Sequence, residues 1–183
     1  MAERYFTYIS DAAHGDFGDS LKQRGRTVMD IIATKFPVSA KLGGMAVVLA
    51  LCVGVPLGVL AAYKRGTFID SLFSVIATCG IAVPGFVICT LLLYVFGVKL
   101  QWLPTLGLKS AQSYIMPVIA LAAYPTSYIM RLMRSSMLDV LGQDYMRTAK
   151  AKGLSQKVSL FKHALRNAIL PVITYVGPML AYT

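Results

Sequence analysis

The sequence predicts an all-α integral membrane protein, a polytopic bundle of kinked transmembrane helices with one long polar loop. Hydrophobic residues make up 56% of the 183 residues and charged residues only 14%, whereas a soluble domain carries about 25% charged residues. Four long stretches contain no charged residue at all. Uninterrupted apolar stretches of this kind are the standard signal of segments that cross a bilayer.

The four uncharged stretches are the candidate spans, since about 20 apolar residues cross the hydrocarbon core as a helix. They comprise residues 42–63, 71–98, 110–130 and 167–183. The second has 28 residues, more than a straight crossing needs, so it must tilt, bend or begin late. Pro84-Gly85 is the best candidate for a bend, because proline removes a backbone donor and disrupts a helix.

The distribution of Lys and Arg predicts the orientation. Residues 131–166 hold eight basic and two acidic side chains, whereas residues 99–109 hold two basic ones. Cytoplasmic loops carry the excess of Lys and Arg. We therefore expect residues 64–70 and 131–166 in the cytoplasm, and residues 99–109 outside together with an extracytoplasmic segment, residues 1–41.

The basic excess, +10 in formal charge, also has interpretations other than membrane orientation and partner binding. The basic side chains of the long loop can simply enforce topology or attract anionic lipid. Nucleic-acid binding is not expected, because these residues lie between membrane spans and no stacking aromatics or binding motif accompany them.

Several function classes are disfavoured. No Asp, Glu, Lys, Arg or His lies inside the four spans, which argues against a proton-coupled transporter and an intramembrane protease. A phosphate-binding loop of the G-x-x-x-x-G-K-[ST] type is absent from the sequence, so the chain is expected to bind no ATP itself and to need an energy-supplying partner for uphill transport. No cofactor and no enzymatic activity are expected, since no nucleophile–base set or metal cluster stands out.

The cysteines and histidines carry no predicted site. Cys52, Cys79 and Cys89 lie in apolar runs and are expected to be buried, reduced thiols. Their odd number and the lack of a C-x-x-C pair favour neither a disulfide framework nor a zinc site. His14 and His163 fall on opposite sides of the predicted membrane, so no metal site is expected from them.

A ladder of small residues runs along the first span. It contains Ala46, Ala50, Gly54, Gly58 and Ala62. Between helices in lipid, close backbone approach at small residues supplies the packing. The spacing of four residues therefore predicts a tight helix-packing seam, with chance in an Ala/Gly-rich segment as the alternative.

The polar loop, residues 131–166, predicts two amphipathic helices separated by a glycine. The first has its apolar face at Leu138, Leu141, Tyr145 and Ala149. Gly153 is expected to end it with a left-handed backbone, and Ser155 to cap the second helix. The second has its apolar face at Val158, Phe161, Leu165 and Ile169. A helix–Gly–helix segment of this kind suits insertion into a partner's groove.

Residues 144–154, with the pattern R-T-A-x-A-K-G, resemble the EAA loop of ABC importer permeases, in the form used by the oligopeptide, dipeptide and nickel branch. Four further motifs match that branch: GDFG at 15–18, QWLP at 101–104, HALRNA at 163–168 and LP at 170–171. Arg147 stands where the general EAA pattern opens with Glu, as in this branch. The family has a further helix before the outer segment and more sequence after the fourth span, so the chain is expected to be a piece of a permease.

The resemblance implies a function and a set of partners. The chain would be a permease subunit in a prokaryotic plasma membrane, forming half of the translocation path of an ATP-driven importer. Oligopeptides or dipeptides are the expected solutes, with nickel and glutathione left open. The implied partners are a homologous second permease, two cytoplasmic ATPase subunits that bind the ATP, an extracytoplasmic solute-binding protein and membrane lipid.

The same resemblance implies that ATP hydrolysis is coupled to transport through residues 144–160, by a helix that sits in a cleft on the ATPase. The predicted coupling residues are Tyr145, Arg147, Thr148, Ala149, Ala151, Lys152, Gly153, Leu154 and Ser155. The alternative function is a passive channel or a structural membrane subunit without ATPase coupling.

Overall fold

The structure is a computed structural model that describes residues 2–155 and 158–182. Over these residues every regular element is a helix, and one isolated antiparallel bridge pairs Asp19 with Thr27. The predicted all-α fold is confirmed. Residues 1–41 and residues 42–183 form two compact units.

The helices of the described ranges are α1 (Ala2–Ala13), α2 (Val28–Tyr63), α3 (Phe68–Ala82), α4 (Gly85–Lys99), α5 (Ala111–Leu141), α6 (Asp144–Ala151), α7 (Ser159–Ala168) and α8 (Leu170–Tyr182). Each of α2 and α5 is long and apolar enough to cross a membrane by itself. The pairs α3–α4 and α7–α8 qualify as bent pairs, with bends of 100° and 43°. The described residues therefore contain two to four spans.

The segment between α1 and α2 is a compact turn. Asp16 Oδ1 accepts a hydrogen bond from the backbone N–H of Gly18 at 2.9 Å. After the Asp19–Thr27 bridge, Thr27 Oγ1 accepts one from the N–H of Asp30 at 3.1 Å. A threonine side chain that satisfies a first-turn N–H is a helix N-cap, which explains why α2 begins at Val28.

The bend between α3 and α4 lies at Pro84, as expected from the sequence. Val83 is extended, with φ −82° and ψ 122°, because the ring of a following proline disfavours the helical region. Proline also has no N–H with which to continue α3, and α4 starts anew at Gly85. By contrast, Pro125 and Pro178 lie inside α5 and α8, which continue through them.

Large side chains from three helices form the core of residues 42–183. Ile129, Met133 and Met137 of α5, Met146 of α6 and Val172 of α8 are fully buried. They pack in one cluster with Ala and Val residues of α2. The unbranched methionine side chain adapts to irregular gaps, so this cluster fills the space that the small residues of α2 leave open.

The predicted first helix of the polar loop is wrong as a single helix. Leu138 and Leu141 belong to the last turns of α5, whereas Tyr145 and Ala149 belong to α6. Gly142 separates the two helices, and its N–H donates to the carbonyl of Leu138 at 3.2 Å. Glycine is a poor helix former, and an aspartate such as Asp144 favours the first turn of a new helix.

The predicted apolar face of the second loop helix is right only in part, since Leu165 and Ile169 pack half-buried against the core cluster. Val158 is 41% exposed and Phe161 61%, while Leu160, Ala164 and Ala168 are buried. Residues Ser159–Ala164 are π-helical. A π-helical turn holds more residues than an α-helical turn, so the buried face shifts away from the one that the α-helical period predicts.

The prediction of buried cysteines is wrong: Cys52 and Cys79 are exposed and Cys89 is half-buried. The prediction assumed a protein interior around each apolar run. Lipid is as apolar as a core, so an apolar side chain of a spanning helix can face outward without cost.

Candidate functional site

One buried side chain anchors α6 to the rest of the fold. Met146 is 0% exposed and packs in the core cluster with Leu160 and Ala164 of α7. Next to it, Tyr145 Oη accepts a hydrogen bond from Asn167 Nδ2 at 2.9 Å. One buried side chain and one exposed hydrogen bond therefore hold the short helix against α7.

Gly153 ends the turn after α6 with a left-handed backbone, at φ +77°. The N–H of Leu154 donates to the carbonyl of Ala149 at 3.3 Å, and the N–H of Lys152 donates to that of Thr148 at 3.0 Å. The hydrogen bond from Leu154 to Ala149 joins the residue after the glycine to the residue five positions before it, which is typical of a Schellman C-cap. Among the described residues other than its chain neighbours, none has an atom within 4 Å of the position that a β-carbon would take at Gly153.

The predicted coupling residues form an exposed surface. All of them are exposed except Ala149, which is half-buried. Arg147 Nη1 lies 3.5 Å from Asp144 Oδ1, with side chains 79% and 96% exposed. An ion pair of two such exposed groups contributes about 0.2–1 kcal/mol at most. Both side chains therefore remain available to another surface.

Ser155 lies just before α7. Its Oγ accepts a hydrogen bond from the N–H of Val158 at 3.4 Å, and its carbonyl accepts one from the N–H of Ser159 at 3.0 Å. The predicted capping position is therefore close to the start of the second helix. The predicted segment, residues 144–160, also includes residues 156 and 157, which lie outside the described residues.

The small-residue ladder of α2 faces α5. All five of its residues are buried. A β-carbon added to Gly54 would lie 2.8 Å from the carbonyl oxygen of Thr126, and one added to Gly58 would lie 2.6 Å from that of Met130. Real β-carbons do not approach backbone oxygens so closely, so the two helix backbones pack directly on each other here.

Sequence analysis missed an ion pair that joins α3 to α5. Arg134 Nε and Nη2 donate to the two carboxylate oxygens of Asp70 at 2.6 and 2.8 Å. Asp70 is 6% exposed and also accepts the N–H of Gly66 at 3.0 Å. A bidentate Arg–carboxylate pair fixes geometry as well as charge. The sequence held one clue to this pair: both residues flank predicted spans on the side of the membrane that is predicted to be cytoplasmic.

No group of three His, Cys, Asp or Glu side chains among the described residues could hold a metal ion. The candidate site combines an exposed short helix and a left-handed glycine with helices that contact α5 through glycines and the Asp70–Arg134 ion pair.

Residues 54–183 match the family described as the binding-protein-dependent transport system inner membrane component. The chain belongs to that family. Membership and the apolar helices make it a multi-pass protein of the inner membrane. Residues 144–155, which we call the coupling surface after their predicted role, lie inside the matched range.

Curated relatives of this family member are peptide-transport permeases by name. This chain is 45% identical over 177 residues to the oligopeptide transport system permease protein OppB of Salmonella typhimurium. The alignment covers 96% of this chain and 58% of the relative. Against the dipeptide transport system permease protein DppB of Bacillus subtilis, identity is 44% over 178 residues, covering 97% of this chain and 58% of the relative.

A third relative is the glutathione transport system permease protein GsiC of Escherichia coli O1:K1, which is 44% identical over 177 residues, covering 97% of this chain and 58% of the relative. The chain thus spans 58% of the length of each of these relatives.

Proposed function

We propose that this chain is part of a permease subunit that forms half of the translocation path of an ATP-driven importer for oligopeptides or dipeptides. The observation that carries the proposal is the coupling surface, anchored by Met146 and ended by Gly153, in a family member similar to named peptide permeases. ATP binding and hydrolysis by partner subunits press on this surface, and the helices attached to it change access to the path.

The proposal includes three kinds of protein partner, in addition to membrane lipid. A homologous second permease completes the path, two ATPase subunits sit on the cytoplasmic side, and an extracytoplasmic binding protein delivers the solute. The exposed side chains of α6 support the ATPase contact, because a helix with one anchored and one exposed face suits a partner's groove. The chain itself performs no catalytic step and binds no cofactor.

Peptides are the proposed solute class because two of the relatives carry peptide transport in their names. Glutathione, named for a third, is itself a small peptide-like molecule. A common solute chemistry of amide groups and free carboxylates therefore links the three.

The test is uptake by the assembled transporter in proteoliposomes. Labelled dipeptides, oligopeptides and glutathione are supplied with the binding protein outside and ATP inside. We expect accumulation against a gradient for at least one of them, and no accumulation when a non-hydrolysable ATP analogue replaces ATP. The matched control is a complex whose ATPase subunits carry a substitution that blocks hydrolysis.

Two results would contradict the proposal. Solute flux that persists without ATPase subunits would identify a passive channel. A chain that purifies from membranes without any ATPase subunit, and supports no flux, would be a structural membrane subunit.

A further inference from the structure

We propose that one face of α5, with Tyr124 and Tyr128, and the adjoining Tyr175 of α8 form a wall along which the peptide passes, where phenol hydroxyls exchange hydrogen bonds with peptide amides. This inference rests on the proposed function and deepens it, because it names the residues and the contacts of the path. We call these three residues the tyrosine wall.

The tyrosine wall lies between two adjoining cavities. They have volumes of about 570 and 390 Å³, and Tyr124 and Tyr128 line both. The larger one reaches Gly85 at the α3–α4 break, and the smaller one reaches Arg131 and Ser135. Volumes of this size are typical of small-molecule sites, about 300–1,000 Å³.

The residues that α5 contributes to the two cavities share one helical face. They include Ala120, Tyr124, Tyr128, Arg131 and Ser135. Spacings of three and four residues place side chains one above the other along a helix. The cavities therefore form a continuous strip that runs from the level of the helix break to the end of α5 that is predicted to be cytoplasmic.

The hydroxyls of the tyrosine wall have no hydrogen-bond partner among the described residues. The rings pack on each other instead, with centroids 4.4 Å apart for Tyr128 and Tyr175 and 6.4 Å apart for Tyr124 and Tyr128. Tyr124 is 47% exposed and Tyr128 37%. A hydroxyl at membrane depth is costly unless water or a polar ligand satisfies it, so lipid tails are unsuitable neighbours here.

A peptide fits this chemistry. Each peptide unit carries a donor and an acceptor, and a phenol hydroxyl can serve as either. Aromatic faces accept varied side chains because their contact is largely apolar. Arg131 is exposed and forms no ion pair within the described residues, so its guanidinium can attract a peptide's free carboxylate. An apolar helix of a neighbouring subunit would leave both the hydroxyls and the guanidinium unpaired.

The test measures access and protection at Tyr128 in the assembled, full-length transporter. In a background in which Cys52, Cys79 and Cys89 are replaced, Tyr128→Cys is exposed to a water-soluble maleimide with and without a transported peptide during ATP turnover. We expect ready labelling that peptide slows several-fold. Ala122→Cys, on the buried side of α5 at 2% exposed, should label slowly in both conditions. At Val75→Cys, 59% exposed on α3 and outside both cavities, peptide should not change the labelling rate.

A second arm covers failure of the cysteine variant to assemble. Tyr124→Phe with Tyr128→Phe keeps the rings and removes two hydroxyls, so peptide uptake should fall several-fold while ATPase subunits stay bound. Tyr94→Phe, which lines neither cavity, should leave uptake unchanged.

The outcomes separate this inference from the proposed function. If the unsubstituted transporter imports peptide but Tyr128→Cys is unlabelled, or is labelled without peptide protection, the wall is covered or off the path and the inference is overturned. Unchanged uptake by the double phenylalanine variant would equally overturn it. If the unsubstituted transporter imports no peptide, both the inference and the proposed function fall.

Discussion

At Gly58 the backbone of α5 comes so close to α2 that one added carbon has no room. The same holds at Gly54, and at Gly80 of α3, where an added β-carbon would collide with the side chain of Ser127. Two helices thus approach α5 through glycines. In lipid, where apolar side chains gain little from leaving their surroundings, this backbone contact is a main source of packing.

Gly58→Ala should therefore destabilise the protein. The new β-carbon would lie 2.6 Å from the Met130 carbonyl oxygen and 2.7 Å from Met133 Cβ, and overpacking of this kind costs about 1–3 kcal/mol. The midpoint of thermal unfolding in detergent should fall, and Gly58→Leu should prevent assembly. Gly44→Ala is the matched control in the same helix, because its β-carbon would meet nothing within 4 Å. A Gly58→Leu protein that assembles and transports normally would remove the seam's packing role.

Gly153→Val should uncouple the proposed transporter. No described residue lies within 4 Å of a β-carbon added at Gly153, so the expected cost arises from the backbone at φ +77°, which β-branched residues resist. We expect solute uptake to fall sharply, with either loss of ATPase subunits or hydrolysis without transport, while the protein still inserts. Gly153→Ala should be milder, since a left-handed alanine costs roughly 1–2 kcal/mol.

The control for this change is Gly107→Val, at another left-handed glycine, φ +77°, which lies in the loop between α4 and α5 that is predicted to be outside. It should retain uptake and ATPase binding. If Gly153→Val also retained both, the loop would not be the transmission point, and its basic residues would serve as topology anchors only.

At the scale of elements, α5 is the common support of the structure. α2 and α3 reach it through glycines, α6 follows it after Gly142, and the Asp70–Arg134 pair ties the start of α3 to it. The pair also holds the Gly66 turn between α2 and α3. Under the proposed function, these contacts are the route by which a displacement at α6 would reach the bent pair α3–α4.

Asp70→Asn should loosen this support. Arg134 would lose its charge partner. A hydrogen bond to a charged group contributes on the order of 2 kcal/mol to the free energy of unfolding, so the midpoint of thermal unfolding should fall. Arg134→Lys should rescue only in part, because an ammonium cannot match both carboxylate oxygens. Asp144→Asn, at the exposed pair with Arg147, is the control and should change stability little. Equal effects of Asp70→Asn and Asp144→Asn would rule out a special role for the Asp70 contact.

At the scale of the whole molecule, the predicted orientation is open to a direct test. Ser155→Cys and Gln101→Cys, each placed in a background without native cysteines, should react with an impermeant thiol reagent from opposite sides of intact cells. Both positions are exposed in the isolated chain, and permeabilised cells that lack the ATPase subunits serve as the control that Ser155→Cys can react. We expect labelling of Gln101→Cys from outside and of Ser155→Cys only after permeabilisation. Labelling of Ser155→Cys in intact cells would invert the topology.

The features that the sequence predicts well are those decided locally. Lack of charge marks the spans, Pro84-Gly85 marks the bend, and the helix–Gly–helix pattern marks Gly153. The features it misses depend on distant partners or on fine register. Asp70 and Arg134 are 64 residues apart. The π-helical turn of α7 leaves no signal in hydrophobic spacing. The outward position of Cys52 depends on which face of α2 is turned toward lipid.

The 100° bend at Pro84 also has a consequence for the surrounding bilayer. Two arms of about 22 Å, at 1.5 Å per residue, joined at that angle have their ends about 29 Å apart, close to the roughly 30 Å of a typical hydrocarbon core. A straightened segment would be about half as long again. Lengthening the acyl chains of the host lipid should therefore favour straighter forms of the α3–α4 pair, which makes membrane thickness a variable that acts on this segment without any bound molecule.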